Sequence, residues 1–403
     1  MGAHAVFTGI VLGVTGLSLV PLGDYFFPAP YKANTIVRVA SGLSQPHKHD
    51  EASTGGDMPS IALFDGNGER IGFKSGSRHG KIPDGRYEDI SITPIDRKNN
   101  RPAEYISLSA SSPDALCVAY IAVTHPSKEY WAFTGDNAAM CGVPWYHSNL
   151  VMQVGDLAHK PKCFWIDGPD DDGKTTYNFP QGIGIHLIDF IGSEALYAQY
   201  ADHPDSMCKS APRLKMYKKL NELQCLPVFN PPLEYTRDGL DADLEALKTE
   251  GEVMCSPPPG QLPTLEERIK LQRVLRFPAR LWRPTYGVKK KRDKIMQLDE
   301  REEQFKPTCF NNDIVISNSM SAKELCDDPG SRGPDFVSKK EGFYCDMCTH
   351  TLWPVCHKGA AVQRPLGCFD IDAKKLHYDR EKTARDNSTI VPVKNYQNVR
   401  IWK

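Results

Sequence analysis

Twelve cysteines set the firmest limit on what this chain can become. They are Cys117, Cys141, Cys163, Cys208, Cys225, Cys255, Cys309, Cys326, Cys345, Cys348, Cys356 and Cys368, an even set with no member before Cys117. An even cysteine count with no thiol left over reads as a disulfide framework built in an oxidising compartment. Each bridge would constrain the unfolded chain by about 2–4 kcal/mol. The cysteines crowd between Cys309 and Cys368, so the fold of that stretch should lean on bridges more than on buried area. Within it, Cys345-Asp346-Met347-Cys348-Thr349-His350 followed by Cys356-His357 has the spacing of a zinc knuckle. Oxidised sulfurs cannot ligate zinc, so bridges are the expected use of these residues.

The N-terminal stretch agrees with an oxidising compartment. Ala5 to Val20 is an uncharged apolar run that stops at Pro21-Leu22-Gly23, the size of a signal-peptide core and short for a membrane span. Only His4 stands where a basic leader would be, and no small-x-small cleavage site precedes Asp24, so a retained anchor and a buried core element stay open as alternatives. Secretion to the extracellular space is expected, with no membrane span in the mature chain. Asn387-Ser388-Thr389 is a sequon for N-glycosylation. With 49 basic against 50 acidic residues, no whole-protein field draws the chain to nucleic acid.

At 403 residues the chain exceeds what one core usually fills, roughly 250 residues, and two regions are expected. From about Thr35 to Phe190, β-rich runs alternate with turn clusters at the spacing of an all-β sandwich. Ser60 to Phe64, the turn Asp65-Gly66-Asn67-Gly68, and Arg70 to Phe73 read as a hairpin. The run LCVAYIAV reads as a strand covered on both faces. Further short strands are expected at 89–95, 104–110, 130–133, 150–154, 162–166 and 184–190. Beyond about residue 195, Pro231-Pro232 and Pro257-Pro258-Pro259 punctuate a charged stretch at 237–252. Helices are expected from the capping box at Thr264 to about Arg276, and from Asp293 to Phe305. The fold expected is mainly β with an irregular, α-containing part: a signal-like segment (1–23), an N-terminal β-sandwich, with a jelly roll as one form (30–195), and a helix-containing, cysteine-rich region (205–403).

Several clusters carry chemistry. Trp131, Trp145, Tyr146 and Trp165, with Tyr177 nearby, gather in the first region; exposed rings beside carboxylates and amides can stack on sugars, whereas buried ones are ordinary core. Asp167, Asp170, Asp171 and Asp172 fall in one glycine-bounded turn that could offer oxygens to calcium, or cap its own backbone. His147 and His186 are candidate acid–base groups with Asp167 and Asp170. Asp189 lies three residues from His186 in an expected strand, which would turn the two to opposite faces. No serine-nucleophile elbow, zinc-protease helix motif or phosphate-binding glycine loop is present. Lys289-Lys290-Lys291-Arg292 reads as a solvated loop, a polybasic patch, or a processing site cut after Arg292.

The segments EYISLSASSPDALCVAYIAVTHP, CGVPWYHSNL, PKCFWIDGP, GIGIHLIDF and GPDFVSKKEGFYCDMCTHTLWPVC resemble a group of uncharacterised secreted proteins of filamentous fungi. The resemblance implies secretion and a two-part chain and assigns no catalytic residue. The functional expectation is therefore an extracellular binding protein for a glycan or a host or cell-surface component, working through the sandwich aromatics. The alternatives are a secreted hydrolase and a proprotein processed after Arg292.

Overall fold

A computed structural model of the protein describes residues 7–13, 16–22, 26–45, 53–76, 80–98, 100–154, 157–169, 179–190, 211–229, 312–356, 367–378 and 394–403, with Leu196, Tyr200, Cys208 and Phe310. The chain is mainly β: an antiparallel sandwich followed by a disulfide-stapled sheet, with two short α-helices, Gly135–Met140 and Ala322–Asp327, among the described residues.

The first sheet of the sandwich runs, in order, Trp145–Tyr146, Cys163–Ile166, Leu116–Thr124, Thr35–Ser41, Tyr87–Ile92, with Tyr130–Thr134 also paired to Leu116–Thr124. The second runs Leu214–Tyr217, Gly182–His186, Tyr105–Ser109, Ser60–Phe64, Arg70–Lys74. Period-two alternation sends Val37, Val39, Ile121 and Val123 from one sheet against Ile61, Leu63, Ile106, Leu108, Ile183 and Ile185 from the other, forming one core. Each such side chain contributes about 1.5–3 kcal/mol on full burial. The expected hairpin forms. The Asp65 carboxylate accepts from the backbone N–H groups of Asn67 and Glu69, and Gly68 takes the left-handed conformation, φ 77°, that the turn needs.

Part of the outer face of each sheet is apolar and covered as well, and Leu116–Thr124 is buried at every position. Over the second sheet, Leu220, Leu226, Val228 and Phe229 pack on Ala62, Phe64, Tyr105 and Tyr217. Over the first, Phe26, Phe27, Val315, Phe336 and Trp402 pack on Ala40, Ala119, Tyr120 and Ala122. The sandwich therefore extends past the expected end at residue 195, since Leu214–Tyr217 completes its second sheet.

The described part of the cysteine-rich region holds a five-stranded sheet and one short helix. Its strands lie in the order Thr351–Pro354, Phe343–Asp346, Asp335–Ser338, Asp313–Ser317, Asn398–Trp402. Asp313–Ser317 is parallel to both neighbours, with Ala322–Asp327 in the crossover to Asp335–Ser338. That helix starts at Ser321, whose hydroxyl accepts from the Glu324 N–H at 3.0 Å. The Glu341 carboxylate accepts from the N–H groups of Ala322 and Lys323. Val315, Phe336, Cys345 and Trp402 face the sandwich, while Ile314, Ile316, Val337, Tyr344 and Trp353 face away and build a second small core with Phe369.

Four bridges are defined: Cys117–Cys163 and Cys141–Cys208 in the sandwich, Cys326–Cys345 and Cys356–Cys368 in the C-terminal region. Cys225 and Cys348 are also disulfide-bonded. The apolar N-terminal run forms an antiparallel hairpin, Phe7–Gly13 with Gly16–Leu22. No helix among the described residues is long and apolar enough to cross a membrane. Outside the described residues lie Cys255, Cys309, Asp170, Asp171, Asp172, Tyr177, Arg292, Asn387, the charged stretch at 237–252 and both expected C-terminal helices.

Candidate functional site

The four aromatics expected to form an exposed stacking surface are all buried: Trp131 at 6%, Trp145 at 0%, Tyr146 at 1% and Trp165 at 4% exposure. The expectation assumed an open outer face on the first sheet, and the C-terminal sheet covers it. Trp131 belongs to the sandwich core. The other three form the junction between the two regions. Trp145 Nε1 donates to Asp328 at 2.8 Å, the Tyr146 hydroxyl to the Pro334 carbonyl at 2.8 Å, and Trp165 Nε1 to the Arg332 carbonyl at 3.0 Å. Gly333 lies against the Tyr146 ring so closely that a Cβ there would come within 2.4 Å of it. From the other side, Trp402 Nε1 reaches the Ser44 carbonyl at 3.2 Å.

His147 belongs to the same junction. Its Nε2 lies 2.9 Å from the Ser321 carbonyl, and burial pushes its pKa below the usual value against the opposing pull of Glu324. This histidine is a packed, satisfied group. Asp167 is half-buried, its backbone N–H donating to the Pro180 carbonyl. Its three companions in the calcium expectation fall outside the described residues, and none of those described cluster as a metal site of three or more ligands. The zinc-like spacing of the C-terminal cysteines is used for bridges: Cys345 with Cys326, Cys356 with Cys368, and Cys348 likewise oxidised.

His186 and Asp189 do meet, contrary to the strand-based expectation. The strand stops at His186, and a 3-10 turn, Leu187–Phe190, swings the Asp189 carboxylate back to His186 Nδ1 at 2.7 Å. Both side chains are buried, at 2% and 0% exposure. Tyr105 stacks on the imidazole, with centroids 4.3 Å apart, and Tyr200 donates its hydroxyl to the Asp189 carbonyl. Beside this pair stands Glu104, half-buried, whose pKa is raised by burial and opposed by His186.

The exposed aromatics are different ones. Among the described residues the large exposed hydrophobics are Tyr31, Tyr87, Val151 and Ile401. Tyr87 opens the edge strand of the first sheet, whose first three residues, Tyr87, Glu88 and Asp89, all face solvent. Cross-strand pairing sets Arg38 opposite Asp89 and Ala40 opposite Tyr87, so these side chains share the outer face. Asp89 receives two parallel hydrogen bonds from the Arg38 guanidinium, at 2.7 and 2.8 Å, and Arg38 lies 3.9 Å from the Tyr87 ring centroid. Burial works against the Arg38 charge, yet the Asp89 contact outweighs it and the pKa stands above the usual value. At the other end of the strand, Asn34 Nδ2 donates to the Ser91 hydroxyl, and the Asn34 N–H closes a turn onto the Tyr31 carbonyl. The sequence pattern marked a strand at 89–95; the strand begins at Tyr87, which with Tyr31 is a ring in the open.

The class defined by these observations is an antiparallel β-sandwich carrying a disulfide-stapled mixed sheet on one outer face. No protein-family model matches the chain, and no curated protein is significantly similar to it.

Proposed function

We propose that this is a secreted binding protein that takes a glycan, or a glycan-bearing cell-surface component, on the outer edge of its first sheet at Tyr87. The observation that carries the reading is the half-exposed Tyr87 ring, held by Arg38, beside the solvent-facing Asp89. An immobilised ring offers an apolar face to a pyranose at little entropic cost, and the carboxylate offers acceptors to its hydroxyls. Disulfide pairing in both regions and the apolar N-terminal run support the extracellular setting, as does the resemblance to fungal secreted proteins.

The test is retention on insoluble polysaccharides and a broad glycan panel, wild type against Tyr87→Ala. Tyr87 touches mainly solvent and Arg38, so the variant should melt within about 0.5 kcal/mol of wild type. Loss of retention with unchanged melting is expected; a wild type that binds no glycan would sink the reading. A second reading, a hydrolase, draws support from the His186–Asp189 pair with Glu104 beside it as a carboxyl of raised pKa. Hydrolysis of a panel glycan that disappears in Glu104→Gln, while Tyr87→Ala is still retained, would favour it.

A further inference from the structure

On the far face of the C-terminal sheet, the Lys394 side chain is enclosed between two carboxylates. Its Nζ lies 2.8 and 2.7 Å from the two oxygens of Asp335, and 2.6 Å from Oδ1 of Asp346. All three side chains are buried, at 5%, 2% and 3% exposure. An ordinary buried ion pair needs one carboxylate for each ammonium, and here there are two. A net negative charge in so dry a place is costly, and the cluster avoids it by holding one further proton.

The two carboxylates are not equivalent. Asp346 Oδ1 accepts from the N–H groups of Cys348 and Thr349. Asp335 is ringed by donors: the Met347 N–H to Oδ1 at 2.8 Å, the Tyr344 hydroxyl to Oδ2 at 3.0 Å, and the Tyr396 hydroxyl to the same oxygen. Burial pushes the Asp335 carboxyl up, against the pull of Lys394, which favours the neutral acid that an amine can attack. Burial raises both tyrosines too, which keeps them as donors. Phe369 stacks on Tyr344 at 4.1 Å between centroids. The result is an amine held against both oxygens of one carboxyl that accepts from three further donors, with a second carboxyl touching the amine.

We infer that Lys394 and Asp335 join in an intramolecular amide bond, with Asp346 as the proton acceptor. A nitrogen in contact with both oxygens of a carboxyl stands at about the 3–3.5 Å from its carbon that a near-attack arrangement requires. The Lys394 ammonium gives a proton to Asp346, and the freed amine attacks Asp335 Cγ. Met347, Tyr344 and Tyr396 stabilise the charge that develops on the carboxyl oxygens. The second Nζ proton moves through Asp346 to the departing hydroxyl, the C–O bond breaks, and one water leaves. Ammonium, carboxylic acid and carboxylate become amide, water and a protonated Asp346; charge is conserved, no oxidant or reductant takes part, and two buried charges are removed. The bond would tie the strand Asp335–Ser338 to the segment that leads into the last strand.

The experiment is the intact mass of the full chain, denatured, reduced and deglycosylated, followed by peptide mapping. The expected mass is one water below that of the processed sequence, with the Asp335 and Lys394 peptides recovered as one branched species that survives reduction. Lys394→Arg should restore the full mass and separate the peptides. Asp346→Asn keeps the acceptor for Cys348 and Thr349, so the sheet should still form, as near-ultraviolet circular dichroism would report, while the cross-link is lost. Separate peptides at full mass from folded wild type would overturn the bond. An undiminished cross-link in Asp346→Asn would overturn the role given to Asp346.

Discussion

Between the two sheets of the sandwich the inward residues are aliphatic or aromatic, from Val37 through Phe133 to Leu214. At the same depth, the C-terminal sheet holds Asp313 with Arg400, and Asp335 and Asp346 with Lys394, beside a far smaller apolar cluster. The first region is held chiefly by area removed from water, with two bridges and the buried His186–Asp189 pair set into it. The second is held by cross-links and fixed charge, so its stability depends on the compartment around it. The junction ties the two modes of stabilisation together, because Trp145, Tyr146 and Trp165 stand on sandwich strands and hydrogen-bond into the C-terminal sheet.

Cutting that junction should produce the largest effect. Trp145→Ala removes a fully buried indole and the partner of Asp328, for an expected loss of about 3–5 kcal/mol in denaturant unfolding. If the regions unfold as one body the whole transition shifts. A loss near zero would show that they are merely adjacent.

Next is the bridge inside the second region. Removing Cys326 and Cys345 together opens a loop with a sequence separation of 19, and should cost about 3 kcal/mol. Limited proteolysis should then cut first between Asp313 and Pro354. The Cys117–Cys163 pair offers the contrast: its separation is 46, yet the strands it joins are already paired and covered on both faces, so cleavage should stay out of the sandwich. Equal susceptibility of both regions would contradict the division drawn between them.

The smallest effect is protonic. His147 is buried and its folded pKa lies below the unfolded value, so the unfolded chain binds the extra proton first on acidification. The stability it contributes is complete above about pH 6.5 and declines as pH falls towards the folded pKa, by at most about 1.4 kcal/mol per pH unit. A melting series from pH 7.5 to 5 should show that decline, and His147→Gln should flatten part of it. An unchanged slope in the variant would move the pH sensitivity elsewhere in the junction.

Much of the sandwich was legible because its signals are local. The Asp65-to-Gly68 turn forces its hairpin, the unbroken run around Ile121 demands cover on both faces, and strand edges fell within a few residues of their expected places. What the sequence withheld is what depends on distant partners. Strands as short as Asp313–Ser317 and Asp335–Ser338 carry too little alternation to stand out, and a parallel pairing across a helix leaves no turn signature. Whether Trp165 faces water depends on Arg332, far along the chain, so no local pattern distinguishes it from Tyr87. The His186–Asp189 contact was missed for a simpler reason: strand geometry was extended through residues that coil into a 3-10 turn.

The parallel placement of Asn398–Trp402 against Asp313–Ser317 also orders events in time. A ribosome delivers the sandwich strands first, and nothing prevents them from pairing as they emerge. The cover on the outer face of the first sheet, however, is completed only when Trp402 arrives, since that indole reaches back to Ser44, 358 positions earlier in the chain. During synthesis, then, the chain carries a finished domain with an adhesive side, and closing so long a loop is slow. Until the last strand is made, that side is exposed apolar surface of the kind that makes a folding intermediate prone to aggregate.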